Sequence, residues 1–327
     1  MSEQRTRFLL PFALLTAILA VSTASIFIRF AQREAPSLVI AALRLTVASL
    51  VLTPVALTRY RGELRALTQS DLLLGLLSGV FLAVHFGTWI SSLEYTSVAS
   101  SVVFVSTGPL WVSLLSPILL KEPLRRTVLA GMTLALLGGT VIGLSDSCSV
   151  GWSSSPQDVS PVLADRLGRP LISCPPFSEF VQGKAIFGNS LALVGAWAVA
   201  GYLMIGRRLR AGMSLIPYIF IVYSSAAISL LLAMLVAGQV PSGYSPVVYG
   251  WILLLALVPQ LIGHTTYNWA LRYLPAALVS ITTLAEPVGS AILAYVILNE
   301  SPTRLTVLGG VLILAGIYLA SATKQTA

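Results

Sequence analysis

Apolar residues run in ten blocks, each close to the roughly twenty residues a helix needs to cross the hydrocarbon of a bilayer. The blocks are 9–29, 37–58, 72–92, 97–120 and 127–144, then 185–206, 214–237, 246–270, 275–298 and 304–322, numbered below as spans 1 to 10. Polar stretches punctuate them: Gln32 to Pro36, Arg59 to Ser70, Lys121 to Arg126, Arg207 to Gly212 and Gly238 to Ser245. A shift of 178 positions lays the chain on itself. Arg29, Leu93, Tyr95, Pro109, Glu122, Arg126, Gly131 and Gly138 land on Arg207, Leu271, Tyr273, Pro287, Glu300, Arg304, Gly309 and Gly316 (287 − 109 = 178). A gap-free register of this kind predicts two copies of one unit. The pattern therefore predicts an all-α integral membrane protein of ten transmembrane helices, with one five-span repeat in 1–144, a linker in 145–184 and a second repeat in 185–327.

Composition agrees with lipid as the main solvent. Of 327 residues 56% are hydrophobic and 10% charged, with mean hydropathy +0.87, whereas a soluble domain carries roughly a quarter charged residues. The net charge of +8 comes without a basic face interleaved with aromatics, so no nucleic-acid partner is expected. Lys and Arg instead report orientation. With the N-terminus in the cytoplasm, thirteen lie in cytoplasmic loops and tails and six outside. Both termini are thus expected in the cytoplasm, 145–184 on the exoplasmic side, and the chain in the cytoplasmic (inner) membrane. Five spans per half is odd, so the second repeat starts from the opposite side and the repeats are inverted. Span 1, after Arg5 and Arg7, resembles a signal peptide. The match of Arg29 to Arg207 argues that it is retained, because its loss would leave the first half one helix short.

Metal and cofactor chemistry find little support. Cys148 and Cys174 both sit in the Ser/Pro/Asp-rich linker, without metal-ligand spacing, and the two histidines, His85 and His264, lie in separate apolar runs. On the oxidising side a Cys148–Cys174 disulfide is expected, with two free thiols as the alternative. No Gly-rich phosphate loop appears, and no cofactor is expected.

Polar residues inside a span must face protein or water, because lipid cannot satisfy them. Gln260, His264 and Tyr267 recur at i, i+4 and i+7, with Asn268 beside them; Ser78, His85 and Trp89 form a matching face in span 3. The shift carries Trp89 onto Tyr267, so these faces are candidates for a cavity between the repeats, or for an aromatic packing layer. His264 is a candidate proton carrier, or a neutral packing residue, and His85 a lesser one. Glu286, after Thr282 and Thr283 and before Pro287, is the one acid well inside a span. It can serve as a cation or proton site, or cap the carbonyl that Pro287 frees. Its counterpart is Gly108. Arg44 in span 2 can bind a substrate carboxylate, pair with Glu286, or snorkel to the headgroups. Pro109 and Pro287 read as structural, as do Glu122 and Glu300, placed to cap spans 5 and 10. The glycines of those spans suit close helix packing or a dimer contact, which leaves monomer and homodimer both open.

The run His264, Tyr267, Asn268, Trp269, Ala270, Leu271, Tyr273, Pro275, then Thr283, Glu286, Pro287, Asn299, Glu300 and the Gly309/Gly310/Gly316 tail resembles the EamA-type module of the drug/metabolite transporter superfamily. A weaker copy runs through Arg44, Trp89, Leu93, Tyr95, Pro109, Glu122, Gly131 and Gly138. The resemblance implies a central cavity lined by spans 1–4 and 6–9, with spans 5 and 10 as peripheral supports. It implies a secondary transporter of a small metabolite, by analogy an amino acid or related compound, working by alternating access and exporting without ATP. A coupling proton is a candidate partner. The rivals are a receptor or scaffold that transports nothing, and an intramembrane enzyme, for which no nucleophile–base pair or metal set is recognisable.

Overall fold

The structure, a computed structural model, describes residues 3–96, 101, 104–145, 149–151, 171–173, 184–298 and 301–321. In the first half the helices are α1 (Glu3–Ser22), α2 (Ala24–Ala31), α3 (Ser37–Arg59), α4 (Arg61–Arg65), α5 (Gln69–Ser92), α6 (Gly108–Leu119) and α7 (Arg126–Ser145). In the second half they are α8 (Lys184–Arg210), α9 (Leu215–Val236), α10 (Pro246–Leu255), a π-helical segment (Ala256–His264), α11 (Thr265–Ala270), α12 (Ala276–Thr283), α13 (Glu286–Leu298) and α14 (Arg304–Ser321). Among the described residues eight helical stretches are long and apolar enough to cross a membrane, and Gly108–Leu119 and Arg126–Ile142 are shorter apolar helices in spans 4 and 5. The chain is an integral, multi-pass membrane protein.

The helices that correspond under the shift run in opposite directions. Gly131 on α7 meets Gly316 on α14, and Gly138 meets Gly309; the shift itself maps Gly131 to Gly309 and Gly138 to Gly316. Each contact is therefore the image of the other, and the two helices are antiparallel about a pseudo-two-fold axis. The rest of the packing obeys the same exchange. The contact of α5 (span 3) with α8 (span 6) is answered by that of the π segment (span 8) with α1 (span 1), and the contact of α8 with α6 by that of α1 with α13. Span 2 meets span 7 directly, with Ser49 and Ser224 hydroxyls 2.6 Å apart. The two halves are inverted repeats of one helical unit.

The few charges start helices rather than cover a surface. An acid from a distant loop accepts the first backbone N–H of a span, where the helix dipole favours negative charge. Glu94 Oε1 takes Ser37 N at 3.2 Å, Glu63 Oε1 takes Ser214 N at 2.7 Å, and Glu34 takes both Ser245 N and Oγ. Glu122 does the same, but not for span 5. Its Oε2 accepts Ala276 N at 3.2 Å, so it caps α12 in the opposite repeat. Its shift mate Glu300 lies outside the described residues.

Spans 4 and 9 are broken at corresponding places. α12 ends at Thr283 and α13 begins at Glu286; α6 begins at Gly108, after a turn at Ser106–Thr107. Pro109 and Pro287 each occupy the second position of the new helix, where a missing N–H costs nothing. Span 9 is therefore not the continuous helix that the sequence predicts, and Pro287 opens its second part. Glu286 does not cap a carbonyl freed by Pro287: its carboxylate has no hydrogen bond among the described residues.

The described residues of the linker form an antiparallel ladder of β1 (Ser149–Gly151) with β2 (Leu171–Ser173), in which Ser149 pairs with Ser173. Cys148 and Cys174, their chain neighbours, lie outside the described residues. The disulfide is tested by mass: intact protein treated with iodoacetamide without reductant is expected to gain no adduct, and two adducts would exclude the bridge.

Candidate functional site

The place where α3, α5, α8, α9 and span 8 converge is a cluster of polar side chains in an otherwise apolar core. Arg44 on α3 is fully buried, and its Nε donates to Gln260 Oε1 at 3.1 Å. Its guanidinium carbon lies 4.1 Å from the centre of the Phe86 ring, a stacking that partly offsets the cost of taking the charge out of water. Snorkelling to the headgroups is therefore not what Arg44 does. Glu286 is within electrostatic range of it, but the two form no direct ion pair, since both Arg44 Nη atoms lack a partner among the described residues.

Rings extend from Arg44 in a chain. Phe86 meets His85 at 4.9 Å and His264 at 5.2 Å, His85 stacks on Trp89 at 5.9 Å, and His264 meets Tyr267 edge-on at 6.4 Å. Phe86 and His264 are shift mates, so this contact marks the pseudo-two-fold axis. His85 donates Nδ1–H to Gly195 O at 2.9 Å, which fixes that tautomer. The image of this contact brings Gly263 against the Ala17 carbonyl, so only one half carries a histidine there.

Asn268 knits the cluster to tyrosines that the periodicity did not single out. Its Nδ2 donates to Tyr202 Oη at 2.5 Å and to His264 O at 2.9 Å, and Tyr223 Oη lies 3.2 Å from Thr265 Oγ1. Their shift mates are apolar: Ala24 for Tyr202, Leu45 for Tyr223, Ile90 for Asn268, Leu82 for Gln260. A polar residue in one repeat facing an apolar mate in the other was the available signal. Not every candidate joins the cluster. Ser78 bonds Tyr218 Oη at 3.0 Å in the seam of α5 and α9. Thr282 and Thr283 donate to Val279 O and Ser280 O, at 2.6 and 2.7 Å, and close the end of α12.

Buried polar groups are nearly always hydrogen-bonded, so those that are not call for an explanation. Arg44 Nη1 and Nη2, Gln260 Nε2, Trp89 Nε1, Tyr267 Oη and Asn268 Oδ1 all lack a hydrogen-bond partner among the described residues. Around them His264, Trp89, Thr283 and Glu286 keep partial accessibility. An apolar groove of about 430 Å³ between α3, α5, α8 and α9, lined by Leu38, Gly87, Phe187 and Leu230, is separate from this cluster. Among the described residues no group of three His, Cys, Asp or Glu side chains could hold a metal ion.

A second cluster ties loops together at the end of the molecule that carries Arg207. Arg207 Nε pairs with Glu122 Oε1 at 2.6 Å, and its Nη1 donates to Leu271 O at 2.7 Å and Arg272 O at 3.1 Å. Arg210, which unlike Arg207 is buried, donates to Asn268 O at 3.1 Å and to Met213 O. From sequence, Arg210 reports only orientation and Arg207 orientation and the repeat register; neither pattern carries these contacts.

Known proteins share this architecture. A solved crystal structure superposes with a TM-score of 0.71 at 20% identity, covering 95% of this chain and 96% of its own. An uncharacterized transporter of Archaeoglobus fulgidus is 23% identical over 76% of this chain and 75% of its own. The uncharacterized transporter YetK of Bacillus subtilis is 25% identical over 95% and 86%. The profile of the EamA-like transporter family matches twice, over residues 9–144 and 186–322, once for each of the two antiparallel sets of helices. With the duplication, the inversion and the profile all falling on the same two segments, the chain belongs to the EamA-like transporter family.

Proposed function

We propose that this membrane transporter is a secondary carrier that moves a small polar or amphipathic metabolite outward across the cytoplasmic membrane by alternating access. Its working halves are 1–144 and 185–327, with 145–184 as an exoplasmic connection and both termini in the cytoplasm. One observation carries the reading: unpartnered buried polar atoms converge on the pseudo-two-fold axis, beside two broken spans. In inverted-repeat carriers the site lies at the repeat interface near the bilayer midplane, flanked by discontinuous helices. Irregular backbone at membrane depth is tolerated where it is buried in protein or lines a cavity. An amino acid or related compound is the favoured cargo by family analogy. No catalytic step is invoked.

Single cysteines at Trp89 and Tyr267, placed in a background lacking Cys148 and Cys174, test this. Membrane-impermeant thiol reagents are expected to reach both positions from either side of right-side-out and inverted vesicles. A scaffold or receptor would leave both unlabelled from at least one side, and that outcome would remove alternating access.

A further inference from the structure

We infer, resting on the transporter reading, that Arg44 and Gln260 anchor a carboxylate group of the transported molecule, and that Glu286 takes up one proton when that carboxylate arrives. Arg44 is enclosed on all sides, and its Nε is engaged by Gln260. Its two Nη groups and Gln260 Nε2 lack hydrogen-bond partners among the described residues. A guanidinium offers parallel N–H bonds in the geometry of a carboxylate, and the neighbouring amide adds another donor. Donors grouped about one fixed positive charge select a planar anion over a cation. Phe86 covers one face of the guanidinium, so the fork is held in a plane. The rings of His264, His85 and Trp89 continue outward from Phe86, offering faces to an apolar or aromatic body attached to the carboxylate.

Charge balance supplies the second half of the inference. Arg44 feels Glu286, Tyr202, Tyr223, His85 and His264. Glu286 at the head of α13 feels Arg44 from α3 and Tyr267 from α11, while α1 meets that turn with the Ser22 hydroxyl. One fixed cation thus stands against one fixed acid. A second carboxylate brought into this dry space leaves one negative charge uncompensated unless a carboxyl group takes up a proton. The ligand is held on Arg44, while the Glu286 carboxylate has no hydrogen-bond partner among the described residues and the residue keeps partial accessibility. Glu286 is therefore the group that takes the proton. Binding then leaves the charge of the site unchanged.

The test uses purified full-length protein in detergent, with acetate, benzoate and phenylacetate each compared with its own amide. At least one carboxylate is expected to raise the thermal midpoint where its amide does not. Arg44→Gln is expected to weaken that carboxylate by at least about tenfold, the equivalent of one charged hydrogen bond. Titration calorimetry at mildly alkaline pH, in buffers of different ionisation enthalpy, is expected to show uptake approaching one proton per carboxylate, and none in Glu286→Gln. Amides that match their acids, or three carboxylates without effect, would overturn the anchor, and this comparison needs no variant to fold. Carboxylate binding without proton uptake would overturn the role of Glu286. Two-sided labelling at Trp89 and Tyr267 with no preference for carboxylates would leave the transporter reading standing and this inference not.

Discussion

Alanine at any one of Gly131, Gly138, Gly309 or Gly316 is expected to lower thermal stability sharply, and to a similar extent at all four. These glycines let α7 and α14 approach until backbone touches backbone. A Cβ at Gly316 would sit 2.5 Å from Gly131 O, one at Gly138 would sit 2.5 Å from Gly309 O, and both are blocked further by the backbone N of Ala135 and Ile313. A rigid helix backbone cannot yield as a side chain can, so the helices must separate. In lipid no hydrophobic force restores the lost packing, since helix association there rests on close contact. Overpacking of this kind costs about 1–3 kcal/mol. The two-fold relation makes a sharper statement. Gly131→Ala with Gly316→Ala disturbs one crossing and is expected to cost less than the sum of the two. Gly131→Ala with Gly138→Ala disturbs two crossings and is expected to approach additivity. Thermal unfolding of the purified variants measures both. An unchanged midpoint for the single variants would show that the helices are not in contact as described.

The legibility of this fold from sequence follows from what a one-dimensional register can carry. Spans, duplication and inversion are properties of pattern and charge, and they were available before any coordinate. The glycines of spans 5 and 10 were legible as a packing face, but not that each face packs on its own image. Span 8 shows where pattern fails. The stripe Gln260, His264, Tyr267 assumed a uniform 3.6-residue period. Pro259 lies inside a π-helical stretch at Ala256–His264, where the missing N–H and the ring loosen the turn. The shift mate of Pro259 is Phe81, so the distortion belongs to one repeat only. The partner of Glu122 was equally out of reach. A carboxylate that caps a helix 154 residues away leaves no local trace, whereas Thr68, which accepts Asp71 N three residues on at 3.1 Å, does. The tyrosines of the central cluster were readable only by comparing mates across the repeat rather than by looking for periodic polar faces.

Glu122→Gln is expected to weaken closure at the end of the protein that carries Arg207, and exchanging the two charges is expected to make matters worse rather than restore them. In a simple ion pair the swap recovers most of the loss. Here neither residue is only a charge. Glu122 accepts Ala276 N at the start of α12 while it pairs with Arg207. Arg207 donates to the carbonyls of Leu271 and Arg272 where span 8 ends. An arginine at 122 cannot accept the N–H, and a glutamate at 207 would face two carbonyls with no proton to give. The dipoles at both helix ends oppose the swap as well. Each single neutralisation is therefore expected to cost about 1–3 kcal/mol, and the double exchange more than either. Since the cluster joins α8, the α6–α7 connection and the turn between spans 8 and 9, its loss frees the segments that close this end. Labelling of a cysteine at Trp89 from that end is expected to quicken in Glu122→Gln and to quicken further in the exchanged double variant. Labelling from the opposite end is expected to slow, because a two-ended carrier can open one end only by spending less time open at the other. Recovery of wild-type stability and labelling by the exchanged pair would reduce the contact to an ordinary surface ion pair, worth little to either end.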